Sequence, residues 1–208
     1  MLGLPSTTAV GRRMPKELFY RNLSLPADVE RAFVDDVERI ELAHSIRSAT
    51  AGIPDGGAVH EVLVIEVALK ERKVPEGVLS CIARTNQHKL LFMCTFGEEA
   101  CLAVMLKELV VGPWHRADGL TLEVNAGGMD LVWDSIASQV AYGDAGDGAR
   151  TVEERFAGDA RLKALREELA KVEARGRKER QLARKNALFD RARELKRQIA
   201  DIEKGSVR

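Results

Sequence analysis

Short apolar segments alternate with turns over the first 142 residues of the chain. Residues 62–69 form a nearly continuous apolar run, interrupted by Glu66, of the type found in strands that are buried on both faces. Residues 90–96 form a second run of this type, and the residues between them, from Pro75 to about Asn86, have the spacing of a helix. This order predicts a β-α-β unit with two parallel strands and a right-handed crossover.

Two further strands are predicted after this unit. Gly97 to Ala100 has the composition of a hairpin turn and leads into an apolar stretch from Cys101 to Val111. We expect Gly112-Pro113 to end that strand, because proline has no N–H to donate to a neighbouring strand. Leu120 to Val124 alternates between apolar and polar residues like a half-exposed edge strand. The sequence therefore predicts four strands.

Helices are predicted on either side of these strands. One begins after Gly127-Gly128, where an apolar stripe at helical spacing starts. Residues 1–25 are expected to be irregular but anchored on the rest of the body. A helix over residues 27–43, earlier in the chain, is predicted because apolar residues recur there at helical spacing, namely Val29, Phe33, Val37 and Ile40. Together these elements predict an α+β fold, a mixed-sheet α/β sandwich that spans residues 1–142.

The last third of the chain has a heptad pattern. After a Gly/Asp-rich linker at residues 143–150, apolar residues of the tail, residues 151–208, recur at intervals of three and four. The two series are out of phase, so we expect a break near Gly176 and a C-terminal antiparallel helical hairpin, with one long kinked helix as the alternative. The two seams of this coiled coil would be Leu162, Leu165, Leu169 and Val172, and Leu188, Ala192, Leu195, Ile199 and Ile202.

Charge is divided unequally between body and tail. Residues 1–150 carry 15 Lys+Arg and 21 Asp+Glu, whereas residues 151–208 carry 17 and 11, so the net charge of zero combines an acidic body with a basic tail. This division indicates a polyanionic or acidic partner for one of the two parts. Arg12 and Arg13 near the N-terminus are further candidates for phosphate contact, beside ordinary solvation. The candidate contact residues around the predicted hairpin turn are Arg175, Arg177, Lys178, Arg180, Arg184 and Lys185.

Composition argues against several classes of protein. Aromatic residues make up only 5% of the chain, which argues against a base-stacking platform. No apolar run approaches the roughly 20 residues that span a membrane, and the N-terminus lacks the pattern of a signal peptide, so we expect a cytoplasmic protein without membrane contact. Cysteines, histidines and glycines have none of the spacings of metal or nucleotide sites. We therefore expect no metal and no cofactor.

One cluster has the residue types of a metal-dependent nuclease. Glu61, Glu66 and Lys70 lie along the first strand of the β-α-β unit, with Glu38 on the predicted helix before it. Carboxylates of this kind can hold Mg²⁺ and activate water. Glu66 and Lys70 share a strand face, but they are about 13 Å apart along it, which is too far for a single metal site. The three residues remain an alternative catalytic set, beside solvation of the strand end or a local ion pair.

Four stretches carry a resemblance that covers nearly the whole chain. They are Leu2-Gly3-Leu4-Pro5-Ser6-Thr7-Thr8 running into Met14-Pro15-Lys16-Glu17-Leu18-Phe19-Tyr20, Glu61 to Lys70, His88-Lys89-Leu90-Leu91-Phe92, and Lys178-Glu179-Arg180-Gln181 through Asn186. In these stretches and their order the chain resembles domain-of-unknown-function family 4391, whose bacterial and archaeal members are encoded near DNA methyltransferases and helicase-type restriction subunits. The resemblance implies a setting in DNA modification or anti-phage defence, with a methyltransferase or helicase subunit as partner.

The leading functional hypothesis is a non-enzymatic accessory protein of such a restriction-modification-like system. Its body would dock onto a partner subunit, and its basic hairpin would contact nucleic acid or an acidic groove of that partner. A divergent metal-dependent nuclease built on Glu61, Glu66 and Lys70 is one alternative. A purely structural module, in which tail helices pair between chains to form a homo-oligomer, is the other.

Overall fold

The computed structural model describes residues 2–20 and 25–205 of the chain. The strands within these residues are β1 (Ala9–Met14), β2 (Val37–Arg47), β3 (Glu61–Leu69), β4 (Lys89–Phe96), β5 (Glu99–Met105) and β6 (Leu109–Arg116). They form one mixed sheet in which sequence order is also spatial order. β3 and β4 are parallel, and each of the other neighbouring pairs is antiparallel.

Helices cover both faces of the sheet. Those of the body are α1 (Glu17–Tyr20), α2 (Ala27–Asp35), α3 (Ser48–Ala51), α4 (Glu76–Arg84) and α5 (Met129–Tyr142). Trp133 and Ile136 of α5 pack in one apolar core with Val62 and Val64 of β3. Phe33 of α2 and residues of α4 pack in a second core on the opposite face, where Ile65 of β3 is buried. The predicted mixed-sheet α+β fold and its parallel β3-α4-β4 unit are thus confirmed.

The predicted helix over residues 27–43 is only half correct. α2 ends at Asp35, and β2 begins at Val37 and pairs with β3 along almost its whole length. The helical spacing of Val37 and Ile40 is a coincidence, because both are buried on the α2 side of the sheet as strand residues. β-branched residues fit such a strand well, and long antiparallel pairing outweighs a local helical pattern.

The two edges of the sheet also differ from prediction. β1 lies in a segment expected to be irregular; nearly all of its side chains are exposed, so it has no apolar pattern. The expected strand from Cys101 to Val111 is divided in two by a turn in which the N–H of Leu106 donates to the carbonyl of Glu108. β6 then runs through Gly112-Pro113, because proline is tolerated on an edge strand. The expected strand from Leu120 to Val124 is reduced to one bridge between Leu2 and Thr121.

The tail forms the predicted helical hairpin. Its helices are α6 (Val152–Lys178) and α7 (Leu182–Gly205), which are in contact along a seam that includes Val172, Ala192 and Leu195. The helices separate at residues 179–181 rather than near Gly176, which remains helical. At this turn the Glu179 carboxylate accepts the N–H groups of residues 180 and 181, each at 2.8 Å. The Glu179 carboxylate thus satisfies N–H groups of the turn that precedes α7.

By its internal contacts the chain divides into two compact units, one ending at Val152 and the other beginning at Glu153. The first unit contains the sheet, its helices and the Gly/Asp-rich linker. Val152 itself is fully buried in the core on the α5 side, and its N–H donates to the Asp134 carboxylate. The packing of the body therefore includes the first residue of α6.

Candidate functional site

The central carboxylate of β3, Glu66, is paired with an arginine. It lies on the α5 side of the sheet, directly opposite Glu41 of β2. The Arg39 guanidinium lies 3.3 Å from the Glu66 carboxylate and 3.6 Å from that of Glu41. The one guanidinium lies between the two carboxylates and offsets part of their charge. Glu38, expected on a helix, is instead an exposed residue of β2.

Glu61 belongs to a different cluster at the start of β3. Its carboxylate accepts a hydrogen bond from the Ser45 hydroxyl at 2.5 Å, and the ring Nδ1 of His88 lies 3.6 Å away. The glutamate stands between the serine and the histidine, so the histidine does not face the serine as a general base would. This arrangement ties the start of β3 to β2 and to the residue that precedes β4.

Lys70 does not complete a catalytic set with these glutamates. β3 ends at Leu69, and the Lys70 ammonium donates to the Val34 carbonyl of α2 at 2.7 Å. The expectation that Glu66 and Lys70 share a face is therefore wrong, since α2 and Glu66 are on opposite sides of the sheet. Among the described residues no group of three or more His, Cys, Asp or Glu is placed to hold a metal ion. The structure does not bring Glu61, Glu66 and Lys70 together.

The two N-terminal arginines are exposed on the edge strand β1. Arg12 lies beside Leu42 and Arg13 beside Glu41, so strand alternation directs them to opposite faces of the sheet. Lys16, the next cation along the chain, donates to the Val37 carbonyl at 2.8 Å, and burial lowers the pKa of its ammonium. These cations do not form one phosphate-binding cluster.

The basic residues of the tail, by contrast, are gathered in one place. We call residues 175–185 the hairpin tip; it consists of the last turn of α6, the connecting turn and the first turn of α7. The tip cations are Arg175, Arg177, Lys178, Arg180, Arg184 and Lys185, and all except the half-buried Lys185 are exposed. Because the helices end and begin here, side chains from both helices and from the turn surround the same end of the hairpin.

The tip cations differ from other hairpin cations in their ion pairing. Farther along, Arg166 pairs with Glu203 at 2.7 Å, Lys196 with Glu173 at 2.8 Å, and Arg191 with Glu168. Within the described part of the chain, none of the six tip cations has a carboxylate within ion-pairing distance. The tip is thus a concentration of positive charge whose ammonium and guanidinium groups are available to an anion.

An aromatic residue that the sequence did not indicate lies beside the tip. Phe189 of α7 is 51% exposed and lies in an open groove between α6 and α7. Leu182, seven residues earlier on the same helical face, is 73% exposed. The only sequence signal for Phe189 was its position outside the heptad seam, one residue after Leu188.

The body holds a further carboxylate whose role the sequence did not show. Asp130, at the start of α5, accepts the N–H groups of Gly57 and Val59 at 2.7 Å and that of Ala58 at 3.1 Å. These three hydrogen bonds lower the pKa of Asp130. They fasten the loop before β3 to α5, which is a structural task.

Two of the three cysteines are buried opposite each other. Cys94 of β4 and Cys101 of β5 are register partners, and both are inaccessible to solvent. A hydrogen bond with Cys101 and burial raise the pKa of the Cys94 thiol.

Within the part of the chain that the structure describes, no helix combines the length and apolarity needed to cross a membrane.

Comparison with known proteins identifies the chain at the level of its family. No curated protein sequence and no solved structure matches it significantly. The family model described as a domain of unknown function, DUF4391, matches residues 2–199 of the 208. This match covers the sheet, its helices and nearly all of the hairpin. The chain therefore belongs to the DUF4391 family.

Proposed function

We propose that the protein is a non-enzymatic, cytoplasmic accessory protein of a DNA-modification or defence system, and that its hairpin tip contacts the phosphates of nucleic acid. The observation that carries this proposal is the set of six tip cations, none of which has a carboxylate within ion-pairing distance among the described residues. Lysine and arginine at such positions bind phosphate oxygens and release counterions. The family association supplies the setting, with a methyltransferase or helicase subunit as the protein partner of the body.

The start of α7 adds a second electrostatic argument. Arg184 and Lys185 lie in its first turn, where no acidic residue is present. Cations at a helix N-terminus are unfavourable, because that end of the helix dipole is positive. A bound phosphate would relieve this repulsion and would also meet N–H groups of the helix start. The two cations in the first turn of α7 thus destabilise the free hairpin and favour the binding of an anion.

Two matched variants test the proposal. The tip variant carries Arg177→Gln, Lys178→Gln, Arg180→Gln and Arg184→Gln. The stem variant carries Arg161→Gln, Lys163→Gln, Lys171→Gln and Lys204→Gln, which remove the same charge from exposed positions elsewhere on the hairpin. Glutamine has nearly the helix propensity of the residues it replaces, so both variants should keep the fold.

Binding to a short labelled DNA duplex is measured by fluorescence anisotropy at low salt. We expect the tip variant to lose about ten-fold or more in affinity, independently of DNA sequence, and the stem variant to lose much less. Equal losses in both variants would show that only net charge matters and would contradict the proposal. Absence of binding by the unmodified protein both to this duplex and to a single strand of the same length would also contradict it and would direct attention to an acidic protein partner.

A further inference from the structure

The side of the hairpin next to the tip contains an open groove of about 760 Å³ between α6 and α7. Phe189 is the aromatic residue in its lining and the most exposed phenylalanine of the described chain. Asn186, one turn before it on α7, and Arg177 of α6 also line the groove. An aromatic ring, an amide and a guanidinium thus share one concave surface.

Packing of the hairpin does not account for the exposure of Phe189. The seam uses Leu188, Ala192 and Leu195 of α7, whereas Phe189 lies about 100° around the helix from Leu188. Leu182 lies on the same face as Phe189, nearer the turn, and is the most exposed large hydrophobic residue described. The face that carries these two apolar side chains continues from the groove to the hairpin tip.

The charges in the groove leave one cation for an incoming anion. Glu173 is neutralised by Lys196 at 2.8 Å, and Asp190 lies 3.6 Å from Arg193. Arg177 has no ion-pair partner in the described residues. In addition, the Lys185 ammonium lies 6.0 Å from the centre of the Phe189 ring, at the outer limit of a cation–π contact. Lys185 therefore lies beside the exposed ring, and Arg177 lines the same groove.

We infer that this groove binds an unpaired nucleobase stacked on Phe189, with Arg177 and Lys185 on the adjoining phosphates. Base–aromatic stacking beside cations is how proteins hold single-stranded nucleic acid, since each base offers a π-face when it is not enclosed in a duplex. The Asn186 amide has both donors and an acceptor for the edge of that base. This inference rests on the proposed function and narrows it to nucleic acid that is single-stranded at the point of contact. The low aromatic content argues against a platform of several stacking residues, whereas one ring is enough to hold one base.

The test compares two substitutions of the same residue in the full-length protein. Phe189→Leu keeps an apolar side chain at this helical position but removes the ring, and Phe189→Trp keeps a ring. The probes are a labelled mixed-sequence DNA single strand and the duplex of the same length. We expect Phe189→Leu to weaken single-strand binding by about five-fold or more and to change duplex binding by less than about two-fold. Phe189→Trp should retain single-strand affinity, and the single strand should quench its added fluorescence.

The outcomes separate this inference from the proposed function. If the unmodified protein binds both probes and Phe189→Leu leaves single-strand affinity unchanged, base stacking is wrong and phosphate contact by the tip stands. The same conclusion follows if Phe189→Leu weakens both probes equally, because a duplex offers no unpaired base. If the unmodified protein binds neither probe, the proposed function itself fails.

Discussion

At the scale of single residues, three acidic side chains of the body accept hydrogen bonds or an ion pair within the fold. Glu66 is held by Arg39, Glu61 by Ser45, and Asp130 by three consecutive backbone N–H groups. The two glutamates are half-buried and need such partners, because charge is costly to remove from water. These pairings explain the acidic residues of β3 without catalysis, whereas the tip cations have no comparable partners in the described chain.

Asp130 gives a prediction about pH. Asp130→Asn replaces one acceptor oxygen by an NH₂ group that faces the N–H of Gly57, so the variant should have a lower Tm at about pH 6. The folded protein holds the pKa of Asp130 below its ordinary value of 3.8. A depressed pKa stabilises the fold above the unfolded pKa and ceases to do so as the pH falls through the folded pKa. The Tm difference should therefore shrink below about pH 3.8.

Thermal unfolding of both proteins, followed by circular dichroism between about pH 6 and pH 2.5, measures this effect. Asp201→Asn provides the matched control, because Asp201 is an exposed aspartate of α7 and its replacement should change the Tm little at any pH. A Tm difference for Asp130→Asn that is constant across this range would show that the carboxylate charge contributes nothing to the loop.

At the scale of elements, the sequence predicted a helix or strand correctly where its local apolar pattern matched the surroundings of that element in the fold. α5, α4 and the hairpin carry apolar residues at helical or heptad spacing that face a core, and they were predicted. β2 was mistaken for helix because its pairing with β3 lies outside any local window. β1 is exposed along its length and could not be seen in an apolar pattern.

The candidate site was predictable in the same partial way. The tip cations follow from their density in the sequence, and their position at one end of the hairpin follows from the heptad phase. Phe189 was missed, because a single exposed aromatic residue carries no periodic signal. The lack of ion pairs at the tip could not be predicted from the sequence. Glu179 is adjacent to these cations in the chain, but its carboxylate accepts backbone N–H groups.

The boundary between body and hairpin gives a prediction about truncation. Ending the protein at Tyr142 removes Val152, which is fully buried in the core on the α5 side, and deprives Asp134 of the Val152 N–H. We expect a body ending at Tyr142 to fold cooperatively but to be less stable than one ending at Phe156, by about 2 kcal/mol for the valine alone. Urea unfolding of the two proteins measures this difference. Equal midpoints would show that Val152 is dispensable for the body.

At the scale of the whole molecule, an acidic body and a basic hairpin share one chain of zero net charge. Such a chain is not attracted to nucleic acid by net charge, so binding has to come from a local concentration of cations. The hairpin tip supplies this concentration, with side chains from two helix ends and the turn. Binding would therefore depend on local phosphate contacts, and salt should weaken it in proportion to the number of phosphates that are neutralised.

The salt dependence of duplex binding tests this claim most directly. The dissociation constant is measured by anisotropy across a series of salt concentrations for the unmodified protein, the tip variant and the stem variant. Four or five engaged cations predict that the logarithm of the association constant falls with the logarithm of the salt concentration with a slope near −4, at about −0.9 for each neutralised phosphate. The tip variant should flatten the slope to about −2 or less steep, and the stem variant should preserve it. A slope that is equally steep in the tip variant would contradict the account.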